Sequence, residues 1–235
     1  MVKRGKHYQE ALSSIDADRT YSPQEALQLA KDSARAKFDE TVELHIRTGA
    51  DPRQADQLIR GVALLPHGLG KEIRVLVFAD GEGVRLANEA GADYVADDDI
   101  IKNIEDGWLG FEVAISTPDL MGKIGRLGRV LGRRGLMPNP RTGTVVQPQD
   151  FGRVIQEAKQ GRVEFRLDRT AIIHVPLGKV SFETEQLLEN MNALLEVVIR
   201  ARPSTVKGQF FRTAYVTTTM GPSIRLDVPR MLTMN

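Results

Sequence analysis

The hydrophobic period of this chain changes twice, and that change decides how it can fold. From Lys71 to about Gln147, short apolar runs alternate with helix-patterned stretches. IRVLVFA at 73–79 is a nearly continuous apolar run, as a parallel strand covered on both faces requires. A turn at DGEG (80–83) and a helix over VRLANEAG follow. Next come a strand at DYVA (93–96), a helix over DIIKNIEDG with Asp99 as its N-cap, a strand at FEVAIS (111–116), and a helix opening near Thr117-Pro118-Asp119. Strand–helix alternation at this spacing predicts a small α/β unit around a parallel sheet.

Both flanks read differently. In ETVELHIRTG (40–49), Val42, Leu44 and Ile46 alternate with Glu43, His45 and Arg47, the pattern of a strand with one buried face. VEFRLDRTAIIHVPLGKVSF (163–182) reads as two strands, divided at Arg169-Thr170 or around Pro176-Leu177-Gly178. In FETEQLLENMNALLEVVIRARP, residues Leu187, Leu188, Met191, Leu194, Leu195, Val198 and Ile199 form one helical stripe, with Pro203 just past its end. Segment 208–228 is β-rich, and the tail after Val228 is expected to be poorly ordered. Antiparallel strands with a few amphipathic helices on one face make an α+β layer.

Neither flank alone has enough elements for a comfortable domain. The simplest solution is a discontinuous α+β domain from 1–67 and 160–235, with an α/β domain, 68–159, inserted between them. The crossings fall near Pro66–Gly70 and Gln160-Gly161, where Gly and Pro permit a hinge.

The chain has 32 Lys+Arg and 31 Asp+Glu, a formal net charge of +1, which on its face argues against a nucleic-acid partner. The sum hides a distribution. Residues 68–120 hold four basic and twelve acidic side chains, whereas 121–141 hold six basic ones and no acid. Local phosphate attraction survives such cancellation, because it decays over roughly 8 Å at physiological salt. No apolar run approaches the roughly 20 residues of a membrane-spanning helix, so no membrane partner is expected. The start, MVKRGKHYQE, lacks the apolar stretch of a signal peptide. With no cysteine there are no disulfides, thiolate metal sites or cysteine nucleophiles, and a reducing, cytoplasmic setting fits.

Catalytic motifs are weak throughout. In DGEGVRLANEAG, Gly81 and Gly83 fit a dinucleotide loop, but position 86 is Leu, and a plain strand–helix turn explains the glycines equally well. His7, His45, His67 and His174 are scattered without metal-ligand spacing; His45 and His174 read as surface imidazoles at polar strand positions. No metal, cofactor or catalytic constellation is expected. A nucleotide-dependent enzyme built on the α/β insert is the rival reading.

Two stretches point elsewhere. MGKIGRLGRVLGRRGLMPNPRTGTV (121–145) repeats glycine every three or four residues and carries Arg126, Arg129, Arg133 and Arg134. It fits either direct phosphate contact or a solvated, poorly helical segment before a turn at Pro138-Asn139-Pro140. TTTMGPS (217–223) sets hydroxyls, backbone groups and one flexible apolar side chain at a strand end. Such a cluster suits RNA, where hydroxyls reach phosphate or 2′-OH groups and Met or Phe packs on a sugar or base. Phe38, beside Lys37 and Thr41 in AKFDETVE, becomes its partner if the two strand edges adjoin.

AKFDETVELHI, GRLGRVLGRRGLMPNP, GRVEFRLDRTAIIHVPLGKVSF and YVTTTMGPSIRL, in this order and spacing, closely resemble the bacterial ribosomal protein L-one family of the mobile stalk. The resemblance runs from the amino end to about Val228. It implies an RNA-binding α+β discontinuous domain, an inserted Rossmann-like α/β domain, and no enzyme activity. It implies as partners the large ribosomal subunit and its large-subunit rRNA, exit-site tRNA whose release the stalk assists, and the chain's own operon mRNA, whose translation it represses. The family's RNA-contact positions carry over to Lys37, Phe38, Thr41 and Glu43 in the first strand region, and to Arg166 and Asp168 in the second. In the last strand region they fall on Thr213, Thr219, Met220 and Gly221. Phe38 and Met220 are then apolar contacts, and Thr41, Thr213 and Thr219 hydrogen-bond ribose or phosphate. Lys37 and Arg166 meet backbone charge, while Glu43 and Asp168 accept from a 2′-OH or position a basic neighbour.

Overall fold

The computed structural model describes residues 5–233; the basic residues Lys3 and Arg4 of the start lie outside the described residues. The chain forms two compact units, unit 1 from Met1–Gly70 and Val163–Asn235, and unit 2 from Lys71–Arg162. Over these bounds unit 1 carries nineteen basic and seventeen acidic side chains, and unit 2 thirteen and fourteen.

In chain order, unit 1 begins with α1 (Lys6–Ser13), α2 (Pro23–Ser33), β1 (Thr41–Thr48) and β2 (Arg60–Leu64). Unit 2 supplies β3 (Val75–Phe78), α3 (Glu82–Glu89), β4 (Tyr94–Val95), α4 (Asp98–Glu105), β5 (Val113–Ser116), α5 (Met121–Ile124), α6 (Gly128–Arg134) and α7 (Phe151–Lys159). The chain then continues through β6 (Arg162–Arg166), β7 (Ile172–Lys179), α8 (Thr184–Arg200), β8 (Phe211–Thr218), β9 (Ile224–Arg225) and α9 (Val228–Leu232).

Among the described residues, unit 1 holds a four-stranded sheet in the order β7-β1-β8-β9 and a two-stranded sheet, β2-β6. All neighbours in the larger sheet are antiparallel. Its inner face carries Val42, Leu44 and Ile46 of β1, Ile173, Val175 and Leu177 of β7, and Ala214 and Val216 of β8, all buried in one core with α2 and α8. The outer face is left open by the helices.

Local chemistry explains the two covering helices. Ser22 and Glu25 cap α2 reciprocally: the Glu25 N–H donates to Ser22 Oγ at 3.4 Å, and the Ser22 N–H donates to Glu25 Oε2 at 3.2 Å. On α8 the stripe residues Leu187, Met191, Leu194, Leu195 and Val198 are buried and Leu188 is partly so, whereas Ile199, expected in the same stripe, is exposed near the helix end. Asn190, fully buried on the same helix, donates to the carbonyls of Gly68 (3.0 Å) and Leu177 (2.7 Å) and accepts the His67 N–H at 3.0 Å. A buried amide so completely satisfied ties α8 to both β7 and the end of the Pro66 turn.

The division inside 163–182 falls at Arg169-Thr170, and Pro176–Gly178 stays within β7. The register shifts there, with Val42 opposite Gly178 and Glu43 opposite Pro176. That bulge, on the outermost strand of the four, is where a residue lacking an N–H is tolerated.

In unit 2, parallel strands β4, β3 and β5 lie in that order, with β3 central. Val75 and Val77 face Phe151, Val154 and Ile155 of α7, while Leu76 and Phe78 face Ile104, Ile124, Leu127 and Leu131. The unbroken apolar run of β3 follows from having helices on both sides.

Two expectations, on the cap of α4 and on the tail, are corrected, and of the two readings of 121–145 the poorly helical one does not hold. The N-cap of α4 is Asp97, whose side chain accepts the Ile100 N–H at 2.7 Å, because the helix starts one residue before Asp99. Segment 121–134 is helical, passing from α5 through a short 3-10 turn into α6, because Ile124, Leu127 and Leu131 share a buried face. The tail after Val228 forms α9 up to Leu232: Asp227 caps it by accepting the Arg230 N–H at 3.1 Å, and Met231 is buried in the unit 1 core.

Candidate nucleic-acid interface

Strand alternation places Thr41, Glu43, His45 and Arg47 on the open face of β1, with Thr213, Tyr215 and Thr217 beside them on β8. Across β1 the pairs are Glu43 with Thr217, His45 with Tyr215, and Arg47 with Thr213. Tyr215 in turn pairs with the exposed Arg225 of β9. On the other side His174 stands opposite His45, and Lys179 opposite Thr41.

At one end of this face two loops meet. The segment before β1 carries exposed Lys37 and Phe38, and the segment after β8 carries Thr219, Met220 and Gly221. Among the described residues Met220 (64% exposed) and Phe38 (56%) are the most exposed large apolar side chains. Leaving two such groups uncovered at one place is what a packing partner requires.

Glu40 joins the loops from beneath. It is 2% exposed; one carboxylate oxygen accepts the N–H groups of Arg35 (3.1 Å) and Ala36 (2.9 Å), and the other accepts that of Met220 (2.9 Å). Burial works against ionisation, but the N–H groups of Ala36, Met220 and Arg35 outweigh it. The carboxyl is held below its ordinary value. Above it the Thr41 N–H donates to Thr219 Oγ1 at 2.9 Å, and Lys179 Nζ donates to Thr41 Oγ1 at 2.9 Å. A Cβ at Gly221 would collide with the Thr218 hydroxyl as it now stands, so the turn after Met220 packs closely on the end of β8.

The structure therefore brings Lys37, Phe38, Thr41, Thr219, Met220 and Gly221 to one end of the open face, with Glu43 next along it. Thr213 lies further down β8, opposite Arg47. Arg166 stands apart, exposed on β6 of the two-stranded sheet. Asp168 follows it in the turn into β7. One of its oxygens accepts the N–H groups of Thr170 (2.8 Å) and Ile172 (2.7 Å), and the other accepts the Thr170 hydroxyl at 2.6 Å. Burial opposes its charge, yet these donors, with His174, hold its carboxyl at about 2. Much of its acceptor capacity is used inside the turn, where Ala171 takes a left-handed φ of 64°.

Sequence reasoning missed Glu40, whose role depends on a loop 180 residues away. It also read His45 and His174 as separate surface imidazoles, whereas their Nδ1 atoms are 2.7 Å apart. Only the antiparallel register, which no local pattern states, makes them neighbours.

In unit 2 the turn after β3 has an ordinary packing reason for one glycine. A Cβ at Gly83 would sit 3.2 Å from that of Ala79, so α3 packs tightly on the strand end. Among the described residues no group of three His, Cys, Asp or Glu is placed to hold a metal ion, and no helix is long and apolar enough to cross a membrane.

The model of the ribosomal protein L1p/L10e family matches residues 29–222, which include β1, β8 and both loops of this interface. The chain belongs to the ribosomal protein L1p/L10e family. Among curated members of this family, the large ribosomal subunit protein uL1 of Dehalococcoides mccartyi is 58% identical over 228 residues, covering 97% of this chain and 96% of that protein. The protein of the same name from Thermomicrobium roseum is 58% identical over 229 residues, covering 97% and 95%. That of Chloroflexus aggregans is 55% identical over 229 residues, covering 97% of each. The family match leaves out the end of the chain, where α9 completes the unit 1 core.

Proposed function

We propose that this chain is an RNA-binding structural component of the large ribosomal subunit, and not an enzyme. The observation that carries this reading is the pair Phe38 and Met220, exposed together at the end of an open, hydroxyl-bearing sheet face and held from below by one buried carboxylate. Apolar groups flanked by threonine hydroxyls suit sugar and base surfaces, with Lys37 and Arg166 meeting backbone charge. Family membership and the name carried by its relatives support the ribosomal setting, and with it a cytoplasmic location.

In the same reading the rRNA target lies on the mobile stalk, and the protein assists release of exit-site tRNA. It also represses translation by binding its own operon mRNA through the same face. The discontinuous domain is 1–67 with 160–235, and 68–159 is a Rossmann-like insert; the two compact units and the helix-covered parallel strands of unit 2 support this division.

Titrating the full chain with a stalk fragment of large-subunit rRNA, and separately with dinucleotides and nucleoside triphosphates, tests the reading. Saturable rRNA binding without nucleotide binding is expected. Micromolar nucleotide binding at Gly81–Gly83 with no rRNA binding would replace it with the enzyme reading.

A further inference from the structure

His45 and His174 face each other across β1 and β7 with their Nδ1 atoms 2.7 Å apart and ring centroids 4.9 Å apart. Two nitrogens this close hold one hydrogen between them: two hydrogens would collide, and none would set lone pair against lone pair. The second nitrogen of each ring faces a carboxylate. His45 Nε2 lies 3.6 Å from Glu43 Oε2, and His174 Nε2 lies 3.4 Å from Asp168 Oδ2. A ring nitrogen opposite a carboxylate is favourable only as a donor. The arrangement thus has three proton positions, one shared and two outer, while two neutral imidazoles bring two protons. One more, taken from solvent, completes the row from Glu43 through His45 and His174 to Asp168. A further proton would put two N–H groups against each other.

We propose that the His45–His174 pair is a further RNA-binding element of the open face, acting as one shared cation that offsets Glu43 and Asp168 beneath the phosphate backbone. The proposal rests on the RNA reading above. The position supports it, since the pair sits mid-face, with His45 22% and His174 49% exposed at the side chain. Its charged and titratable neighbours are Glu43 and Arg47 on β1, Tyr215 on β8 with Arg225 of β9 beyond, and Asp168 in the turn before β7. Burial first, and the charge of His174 second, lower the pKa of His45 against the pull of Glu43. Because the cationic form suits a polyanion, RNA binding and proton uptake strengthen each other.

The test is the affinity of the full chain for the rRNA stalk fragment at fixed salt, at pH 8 and pH 6, for the wild type and for His45→Gln and His174→Gln. The wild type is expected to bind at least about threefold tighter at pH 6, a single proton limiting the change to about tenfold per pH unit. Either glutamine variant, if folded, is expected to lose this response. Saturable wild-type binding of equal strength at both pH values would overturn the proposal while leaving the RNA reading in place. Variants that keep the wild-type response would overturn it too, because the source would then be a single imidazole, the remaining ring of the pair, His7 or His67, and not a shared cation. No binding at any pH would remove the RNA reading and this proposal together. A ¹⁵N imidazole titration of the free protein gives an independent check: both rings are expected to shift together on uptake of one proton, and two separate titrations would contradict the shared cation.

Discussion

The carboxylate of Glu40 holds the backbone N–H of Met220 at 2.9 Å, across 180 residues of sequence. The same carboxylate holds the N–H groups of Arg35 and Ala36, so one buried charge sets the spacing of the loops bearing Phe38 and Met220. Both apolar side chains are exposed, while the backbone beneath them is held by hydrogen bonds.

Glu40→Gln replaces one acceptor oxygen with a donor and leaves at least one of these N–H groups facing another donor. The expected cost is roughly 1–3 kcal/mol of stability, with weaker rRNA binding in the same variant. Urea unfolding and an rRNA titration of the full chain check both. A variant as stable and as tight as the wild type would remove Glu40 from the account.

Salt dependence separates packing from charge. Unit 1 carries nineteen basic side chains against seventeen acidic, so recognition by hydroxyls and apolar contacts is expected to leave only a modest electrostatic component. Each neutralised phosphate adds roughly −0.7 to −0.9 to the log–log slope of affinity against salt. The slope is expected to be shallower than about −6, and a steeper one would mean that bulk charge dominates.

Acid stability follows from two carboxylates, one in each unit. Glu112 is held at about 2, first by the Arg74 guanidinium, then against burial by the Arg74 N–H and Lys71; Asp168 is held at about 2 by its turn. Both lie below their ordinary values of 4.5 and 3.8, so their stabilisation is complete above those values and is lost as pH falls toward about 2. The urea midpoint is expected to be level at neutral pH and to fall between about pH 4.5 and pH 2, with a smaller fall in Glu112→Gln. A midpoint that does not move over that range would contradict both assignments.

What was legible in the sequence was whatever a period can carry. The α8 stripe from Leu187 to Val198, the apolar run of β3 and the alternation of β1 all form as patterned, because each reports which face of one element is buried. Placing TTTMGPS beside Phe38 needed an assumption about strand neighbours, and β1 does pair with β8. Features made by two distant segments were not legible. Glu40 looks like any acid before a strand, and the His45–His174 pair exists only through a register. Short α9 was hidden because Pro229 and the polar tail resemble a frayed end, whereas Met231 finds a place in a core that its own segment does not announce. Asp168 had a local signal after all: an Asp two residues before Thr170 is placed to organise a turn around itself.

The central claim, that Phe38 and Met220 form the apolar heart of an rRNA-binding face, is tested most directly by the rRNA affinity of Phe38→Ala and Met220→Ala in the full chain. Each is expected to weaken binding by roughly 1–3 kcal/mol, on the scale of base–aromatic stacking, with the fold unchanged because both side chains are exposed. Wild-type affinity in both variants, with the fold intact, would contradict it.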